Sequence, residues 1–225
     1  MEHIFWREKY RPKTIDECIL PQELKTIFKS YVQDKQIPSM TFVSSSPGTG
    51  KTATALALCE EVGCDYLFIN GSSETGIDTF RTKMTNFASS VSMNGQRKVI
   101  IVDECDRLSP QAMDALKYGE EFFSKNCSFI LTTNHKGRLT PHLLSRCSPI
   151  EFIVPKEERP SILKQIFIRI CFILDQEKIQ YDKKVVAEFI KKWFPDTRRV
   201  INELQKYSKT GSIDVGILSS LGDVQ

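Results

Sequence analysis

The sequence lacks the residue patterns that hold metals through histidine and cysteine. Its 225 residues include only three histidines and seven cysteines. There is no C-x-x-C pair and no compact group of cysteine and histidine, so a metal site of these ligands is not expected. Most cysteines have apolar neighbours, which is typical of reduced, partly buried thiols in a cytosolic protein. They stand at positions 18, 59, 64, 105, 127, 147 and 171.

Long hydrophobic runs are also missing. The first ten residues carry early charges with no apolar segment behind them, which argues against a signal peptide. The longest apolar stretch elsewhere, residues 166–174, contains Arg169 and is too short to cross a membrane. We therefore expect a soluble, cytoplasmic protein. The net charge of +3 permits nucleic-acid binding through local patches without arguing for it.

A phosphate-binding loop is the clearest motif that is present. Residues 44–52 read S-S-S-P-G-T-G-K-T, between the apolar run 40–43 and a helix-compatible segment. Glycines let successive backbone N–H groups point at phosphate oxygens, while Lys51 can reach the β- and γ-phosphates and Thr52 can bind Mg²⁺. Ser45 stands where the consensus has its first glycine. The alternative, a chance loop before a helix, has to explain four consensus residues in register.

Alternating strand and helix patterns predict a parallel α/β sheet with right-handed crossovers. The predicted strands cover residues 40–43, 66–70, 98–104, 127–134 and 150–154. After Pro155 the strand pattern stops, and three helical stretches follow at 157–176, 182–193 and 195–207. This change predicts an α/β domain over residues 1–154 and a small helical domain over 155–225.

Polar residues follow the predicted strands at their carboxyl ends, where ligands of parallel sheets bind. Asp103 and Glu104 end a strand that we expect to lie beside the phosphate-loop strand. There Asp103 would hold Mg²⁺ and Glu104 would polarise the attacking water. Asn134 could orient that water or the γ-phosphate. Solvated acids and a turn-forming asparagine are the alternatives, and Arg146 could equally be a surface arginine.

In their order along the chain, these motifs resemble the AAA+ ATPases of DNA clamp loaders. Residues 6–17, W-R-E-K-Y-R-P-K-T-I-D-E, resemble the opening of replication factor C small subunits, and residues 70–78 resemble the Asn-Ala-Ser-Asp-Glu-Arg-Gly-Ile-Asp box of that family. Residues 14–21 and 84–88 are similar to the large subunit of T-even phage clamp loaders. The resemblance implies a five-stranded parallel AAA+ sheet flanked by helices and followed by a helical lid. For a phage protein, the compartment would be the cytoplasm of the bacterial host.

The resemblance also implies a role for each site residue. The phosphates of ATP would be held by Pro47, Gly48, Thr49, Gly50, Lys51, Thr52 and Ala53. The adenine and ribose would be wrapped by Arg7, Glu8, Lys9, Tyr10, Arg11 and Ile19. Thr52 and Asp103 would bind Mg²⁺, Glu104 would act on the water, and Asn134 would be sensor 1. Arg198 would be sensor 2, and Arg146 would be an arginine finger acting in trans on a neighbouring subunit.

Two departures from the family stand out. Lys117-Tyr118 replaces a paired Arg-Arg in the helix after the acidic motif, which would alter how DNA binding is coupled to hydrolysis. The sequence also stops about where the helical collar domain of clamp loaders would begin, so we expect no collar within it. Basic residues that could contact DNA, or simply be solvated, are Arg81, Lys83, Arg107 and Lys117.

The function implied by the resemblance is that of an ATPase subunit in a sliding-clamp loader. ATP binding would open the clamp and load it at a primer–template junction, and hydrolysis would release it, with the other subunits completing a hetero-pentamer. Two alternatives stay open. One is an AAA+ DNA motor or remodeller of the branch-migration type, and the other is a scaffold subunit that binds nucleotide without hydrolysing it.

Overall fold

The fold is described from a computed structural model, in which residues 5–73, 76–92, 95–209 and 211–214 are placed. Glu74 and Thr75, which belong to the box at residues 70–78, lie outside the described residues. The same holds for both ends of the predicted domains, residues 1–4 and 215–225. Across the described ranges, no helix has the length and apolar content needed to cross a bilayer.

A five-stranded parallel sheet forms the larger part of the molecule, as predicted. Its strands are β1 (Met40–Val43), β2 (Tyr66–Asn70), β3 (Lys98–Asp103), β4 (Cys127–Thr133) and β5 (Ser148–Glu151). β3 and β4 are buried along their whole length, which accounts for their continuous apolar sequence. β5 begins and ends earlier than the predicted 150–154, because its pairing with β1 starts at Ser148.

The strand order is β2-β3-β4-β1-β5, which corrects one prediction. β3, which carries Asp103, does not lie beside the phosphate-loop strand β1, because β4 is inserted between them. Strand order depends on pairing between distant segments, and the local sequence pattern holds no information about it. The insertion puts the end of β4 at the centre of the carboxyl edge, where Thr132, Thr133 and Asn134 lie.

Helices cover the sheet and build a second, smaller core. Those before or between the sheet strands are α1 (Trp6–Lys9), α2 (Gln22–Gln33), α3 (Lys51–Val62), α4 (Ile77–Ser89), α5 (Pro110–Phe123) and α6 (Pro141–Arg146). Those after the sheet are α7 (Arg159–Gln176), α8 (Lys183–Trp193) and α9 (Thr197–Ser208). Capping residues in the sequence mark where a helix begins, as at the start of α5. Ser109 accepts a hydrogen bond from Ala112 N, and Pro110 occupies the first position of α5.

The helical part after the sheet contains two features that the sequence pattern did not predict. A two-residue parallel pair joins β6 (Gln180–Tyr181) to β7 (Ser212–Ile213). In addition, Trp6 from the start of the chain is buried in the core formed by α7, α8 and α9, together with Ile166, Phe189 and Leu204. The first described residues therefore include the short helix α1 and pack on helices from the other end of the chain.

The described cysteines agree with the predicted reduced thiols. All seven are free, six are buried and Cys171 is half-buried. Burial raises the pKa of Cys147 to about 12 and that of Cys18 to about 11, so both thiols stay protonated at neutral pH. Within the described ranges, no group of three or more histidine, cysteine, aspartate or glutamate side chains could hold a metal ion.

Candidate active site

A cavity of about 410 Å³ lies at the carboxyl edge of the sheet, between the phosphate loop, the N-terminal segment and the helices after the sheet. Predicted nucleotide contacts on its wall are Arg7, Glu8, Tyr10, Arg11, Ile19, Gly48, Thr49, Gly50, Thr52, Ala53, Asp103, Glu104 and Arg198. Three other predicted contacts in described parts of the chain, Lys9, Pro47 and Lys51, do not line it. Its volume falls within the range typical of small-ligand sites.

The glycines of the phosphate loop are required by its backbone. Gly48 has φ +69° and Gly50 has φ +92°, both in the left-handed region that L side chains rarely adopt. Gly48 also lies directly under the start of α9, where an added Cβ would come within 1.8 Å of Asp196 Oδ1. Gly50 leads into the first turn of α3, so the N–H groups at the start of that helix face the cavity region where phosphates bind in such loops.

Lys51 connects the phosphate loop to the end of β4. Its side chain is almost buried, with the residue 8% exposed. The ammonium donates to Asn134 Oδ1 at 2.8 Å and to the carbonyl of Ser46 at 3.4 Å. The pKa of Lys51 is lowered to about 8, chiefly because burial penalises the ammonium; the negative charge of Asp103 opposes this shift and the positive charge of Arg198 adds to it. The predicted ATP lysine and sensor 1 are therefore in direct contact.

Asp103 is held by two hydroxyl groups. Its Oδ1 accepts hydrogen bonds from Thr52 Oγ1 at 2.6 Å and from Thr132 Oγ1 at 2.7 Å. Thr132 also accepts a bond from the backbone N–H of Glu104 at 3.0 Å, so it fixes both acids of the motif. Thr52 and Asp103 together offer the oxygen ligands that Mg²⁺ prefers, and Mg²⁺ usually needs one or two such protein groups beside substrate phosphates. The residues present fit the ion.

Glu104 stands at the cavity in a strained backbone conformation. Its φ of +51° is left-handed, which costs a residue with a side chain about 1 kcal/mol and is typical of functional positions. Its carboxylate is paired with Arg107, whose Nε lies 3.1 Å from Oε2. Arg107, predicted as a DNA contact, thus neutralises the predicted catalytic acid in this structure.

Arg146 lies at the end of α6 and is not on the wall of its own cavity. Its guanidinium is paired with Glu120 at 3.5 Å and with Glu121 at 3.1 Å, both from α5. The side chain of Glu120 is only 4% exposed, whereas that of Arg146 is 37% exposed. Arg146 is thus partly exposed and separate from the cavity of its own chain, and its role as an arginine finger stays a prediction.

The predicted DNA contacts lie on three elements of the described chain. Arg81 and Lys83 are exposed on α4, and Arg107 is exposed in the short turn after β3. Lys117 is half-buried on α5, 3.7 Å from Asp114. These positions do not test DNA binding, so the role of each residue as a DNA contact stays a prediction.

Several residues at the site were missed by the sequence argument. Arg169 and Ile201 come from α7 and α9, Asn70 ends β2, and all three line the cavity. Thr132 gave no signal, because a threonine inside a buried strand is unremarkable. A charge within the apolar run 166–174 was a signal for Arg169 that could have been used.

Asp106 is a further residue of the site that the sequence did not indicate. Its Oδ1 is buried without a hydrogen-bond partner among the described residues, and its charge raises the pKa of Lys51.

Two family descriptions match consecutive parts of the chain. Residues 41–155 match the ATPase family associated with various cellular activities. Residues 158–219 match the AAA+ ATPase lid domain of the sliding-clamp-loader large subunit.

Individual proteins are similar over nearly the whole chain. The sliding-clamp-loader large subunit of Enterobacteria phage T4 is 46% identical over 221 residues, covering 97% of this chain and 69% of the phage protein. The replication factor C small subunit of Saccharolobus solfataricus is 34% identical, over 96% of this chain and 65% of that protein. The chain thus spans about two thirds of the length of these relatives.

Among solved structures, the RuvB Holliday junction branch migration motor of Thermotoga maritima has a TM-score of 0.67. It is 21% identical and covers 94% of this chain and 71% of that one, a likeness that concerns the fold alone. Four observations point to the same family: the phosphate loop, the acidic end of β3, the helical lid and the sequence identity to the phage subunit. The chain belongs to the sliding-clamp-loader large-subunit family of AAA+ ATPases.

Proposed function

We propose that this chain is the ATPase subunit of a sliding-clamp loader, in which ATP binding opens and loads the clamp at primer–template junctions and hydrolysis releases it. One observation carries the proposal. Lys51 contacts Asn134 and Thr52 contacts Asp103, so four residues expected to handle the triphosphate are held together at the carboxyl edge of the sheet. The family to which the chain belongs supports a role for this ATPase site in clamp loading.

Each residue of the site has a chemical task. The loop N–H groups and the Lys51 ammonium bind phosphate oxygens, and Asn134 orients the γ-phosphate or the water through its amide. Thr52 and Asp103 would hold Mg²⁺, which when bound supplies positive charge to the phosphates. Glu104 accepts a proton from the attacking water once its carboxylate is free of Arg107. Arg198 brings positive charge from the lid.

Arg146 completes the site of a neighbouring subunit. Arg146 does not line the cavity of its own chain, so its guanidinium would act on a nucleotide bound by another molecule in an assembly. We propose that the assembly is a hetero-pentamer with other clamp-loader subunits. We also propose the division into an ATPase domain, residues 1–154, and a lid domain, residues 155–225, with the N-terminal segment packed on the lid.

Primer–template DNA and the sliding clamp are the proposed partners. Arg81, Lys83, Arg107 and Lys117 are the proposed phosphate contacts, which would make DNA binding weaken as salt rises.

For the clamp, α5 offers a surface of two aromatic rings. Tyr118 and Phe122 are 64% and 65% exposed and stack at 5.6 Å with an interplanar angle of 14°. Exposed aromatic pairs of this kind are typical of protein interfaces, so we propose that the clamp docks there.

The test is ATP turnover by the protein assembled with its partner subunits, with and without primer–template DNA and clamp. We expect stimulation by DNA plus clamp, loss of turnover in Lys51→Ala, and binding without turnover in Glu104→Gln. Replacing both Tyr118 and Phe122 by alanine should abolish the clamp's contribution and spare turnover without clamp. Branch migration by the wild type without any clamp would contradict the proposal, as would nucleotide binding without turnover in the full assembly.

A further inference from the structure

The N-terminal segment, residues 5–11, is tied to the lid by several polar contacts. Trp6 N donates to Gln205 Oε1 at 3.1 Å. Further along, Lys9 Nζ and the Tyr10 hydroxyl both donate to Glu177 Oε1, at 2.8 and 2.6 Å. Because the Trp6 side chain is also buried in the lid core, this segment forms one packed unit with α7 and α9.

Arg169 on α7 contacts this segment and also lines the cavity. Its Nη2 donates to the carbonyl of Tyr10 at 2.8 Å, and its guanidinium lies 5.5 Å from the centre of the Phe172 ring. Phe172 in turn meets the Tyr10 ring edge-on at 6.3 Å. Arg169 therefore fixes both the backbone and, through Phe172, the ring of Tyr10, where the segment becomes part of the cavity wall.

The two lid arginines on the cavity wall have different neighbours. Arg198 lines the cavity together with Gly48 and Gly50 of the phosphate loop, and its charge lowers the pKa of Lys51. The hydrogen bond of Arg169 goes instead to Tyr10, which lines the same cavity together with Arg11 and Ile19. Arg169 is half-buried, and its charge-assisted hydrogen bond holds a backbone carbonyl beside a ligand site.

We propose that Arg169 is a positioning residue for the nucleoside half of the substrate. By fixing the Tyr10 backbone to the lid, it holds the wall that contacts the base and ribose, and it moves that wall together with the lid. The inference rests on the proposed binding of a purine nucleoside triphosphate in this cavity. It predicts that Arg169 matters for the base and ribose but not for the triphosphate.

The test compares two ligands, ATP and inorganic tripolyphosphate, which lacks base and ribose. Binding is measured by calorimetry on the wild type, Arg169→Gln and Arg169→Lys, with Arg198→Gln as the matched control from the same lid. For Arg169→Gln we expect ATP affinity to fall at least about tenfold, as for the loss of one charge-assisted hydrogen bond, with tripolyphosphate affinity unchanged. Arg169→Lys keeps a donor and should recover part of the loss, while Arg198→Gln should weaken both ligands.

Unchanged tripolyphosphate binding also shows that the phosphate loop of the variant is folded. An equal loss for both ligands in Arg169→Gln would overturn the inference, since it would mean phosphate contact or a general loss of structure. An unchanged ATP affinity would overturn it as well. Failure of the wild type to bind ATP would instead contradict the proposed function, so the two failures are distinguishable.

Discussion

Lys51 is the residue whose protonation should respond most to nucleotide. In the folded protein its pKa is lowered to about 8 from 10.5 because burial penalises the ammonium. Between these pH values the unfolded chain holds a proton that the folded chain has released. The contribution of Lys51 to folding stability therefore rises with pH over this window. Phosphate binding favours the charged ammonium, so bound nucleotide should raise the pKa of Lys51.

We expect ATP binding to take up protons above pH 8, and its affinity to fall as pH rises further. Calorimetry at pH 8.5 in buffers of different ionisation enthalpy measures this uptake directly. Lys51→Arg keeps the charge at all accessible pH values and should bind without the uptake, whereas Lys51→Met should bind weakly. Binding by the wild type with no proton uptake would contradict the assigned position of the ammonium.

The pairing of Arg146 with Glu120 has a consequence for stability. Glu120 is nearly buried, and within the described residues Arg146 is the cation that compensates it. We expect Arg146→Ala to lower the free energy of unfolding by about 1–2 kcal/mol, less than for a fully buried pair because the guanidinium is partly exposed. Adding Glu120→Gln to that variant should recover most of the loss in denaturant unfolding. No recovery would show that the buried carboxylate is not what destabilises the single variant.

At the scale of elements, the phosphate loop and the start of α9 are in close contact. Gly48 and Gly63 both have left-handed backbones, at φ +69° and +75°. Around Gly63 an added Cβ would meet nothing within 4 Å, whereas at Gly48 it would collide with Asp196. Substitution at Gly63 should therefore show the effect of backbone strain alone, and substitution at Gly48 the effect of strain together with a collision with the lid.

We expect Gly63→Ala to cost about 1–2 kcal/mol of stability, the price of a left-handed residue, with ATP affinity intact. Gly48→Ala should cost more and should also weaken ATP binding, because α9 has to move away from the loop. Denaturant unfolding and nucleotide titration of both variants check this. Equal effects of the two substitutions on ATP affinity would mean that the loop and α9 are not in contact when ATP binds.

For the whole molecule, the proposal that Arg146 acts in trans predicts complementation between defective subunits. Lys51→Ala removes the site but keeps the arginine, and Arg146→Ala/Glu120→Gln removes the arginine but keeps the site without an unpaired buried acid. We expect each variant alone to be inactive in the assembled complex and a mixture of the two to regain part of the ATP turnover. Full activity of the Arg146 variant by itself would refute the trans role.

The sequence by itself determined the features whose causes are local. Glycine at left-handed positions, followed directly by Lys51 and Thr52, defined the phosphate loop, because backbone freedom and side-chain chemistry are set within a few residues. Continuous apolar runs indicated the five sheet strands, and apolar residues at helical spacing indicated most helices, in the same local way. The cap residues Ser109 and Pro110 set where α5 begins.

Only the tertiary structure decided which distant segments meet. It inserted β4 between β1 and β3, so that Thr132 rather than a β1 residue holds Asp103. It also joined the N-terminal segment to the lid and brought Arg169 to the cavity wall. These contacts depend on packing between residues far apart in the chain, and the side chains involved leave no periodic or local signal by which a sequence pattern could assign their partners.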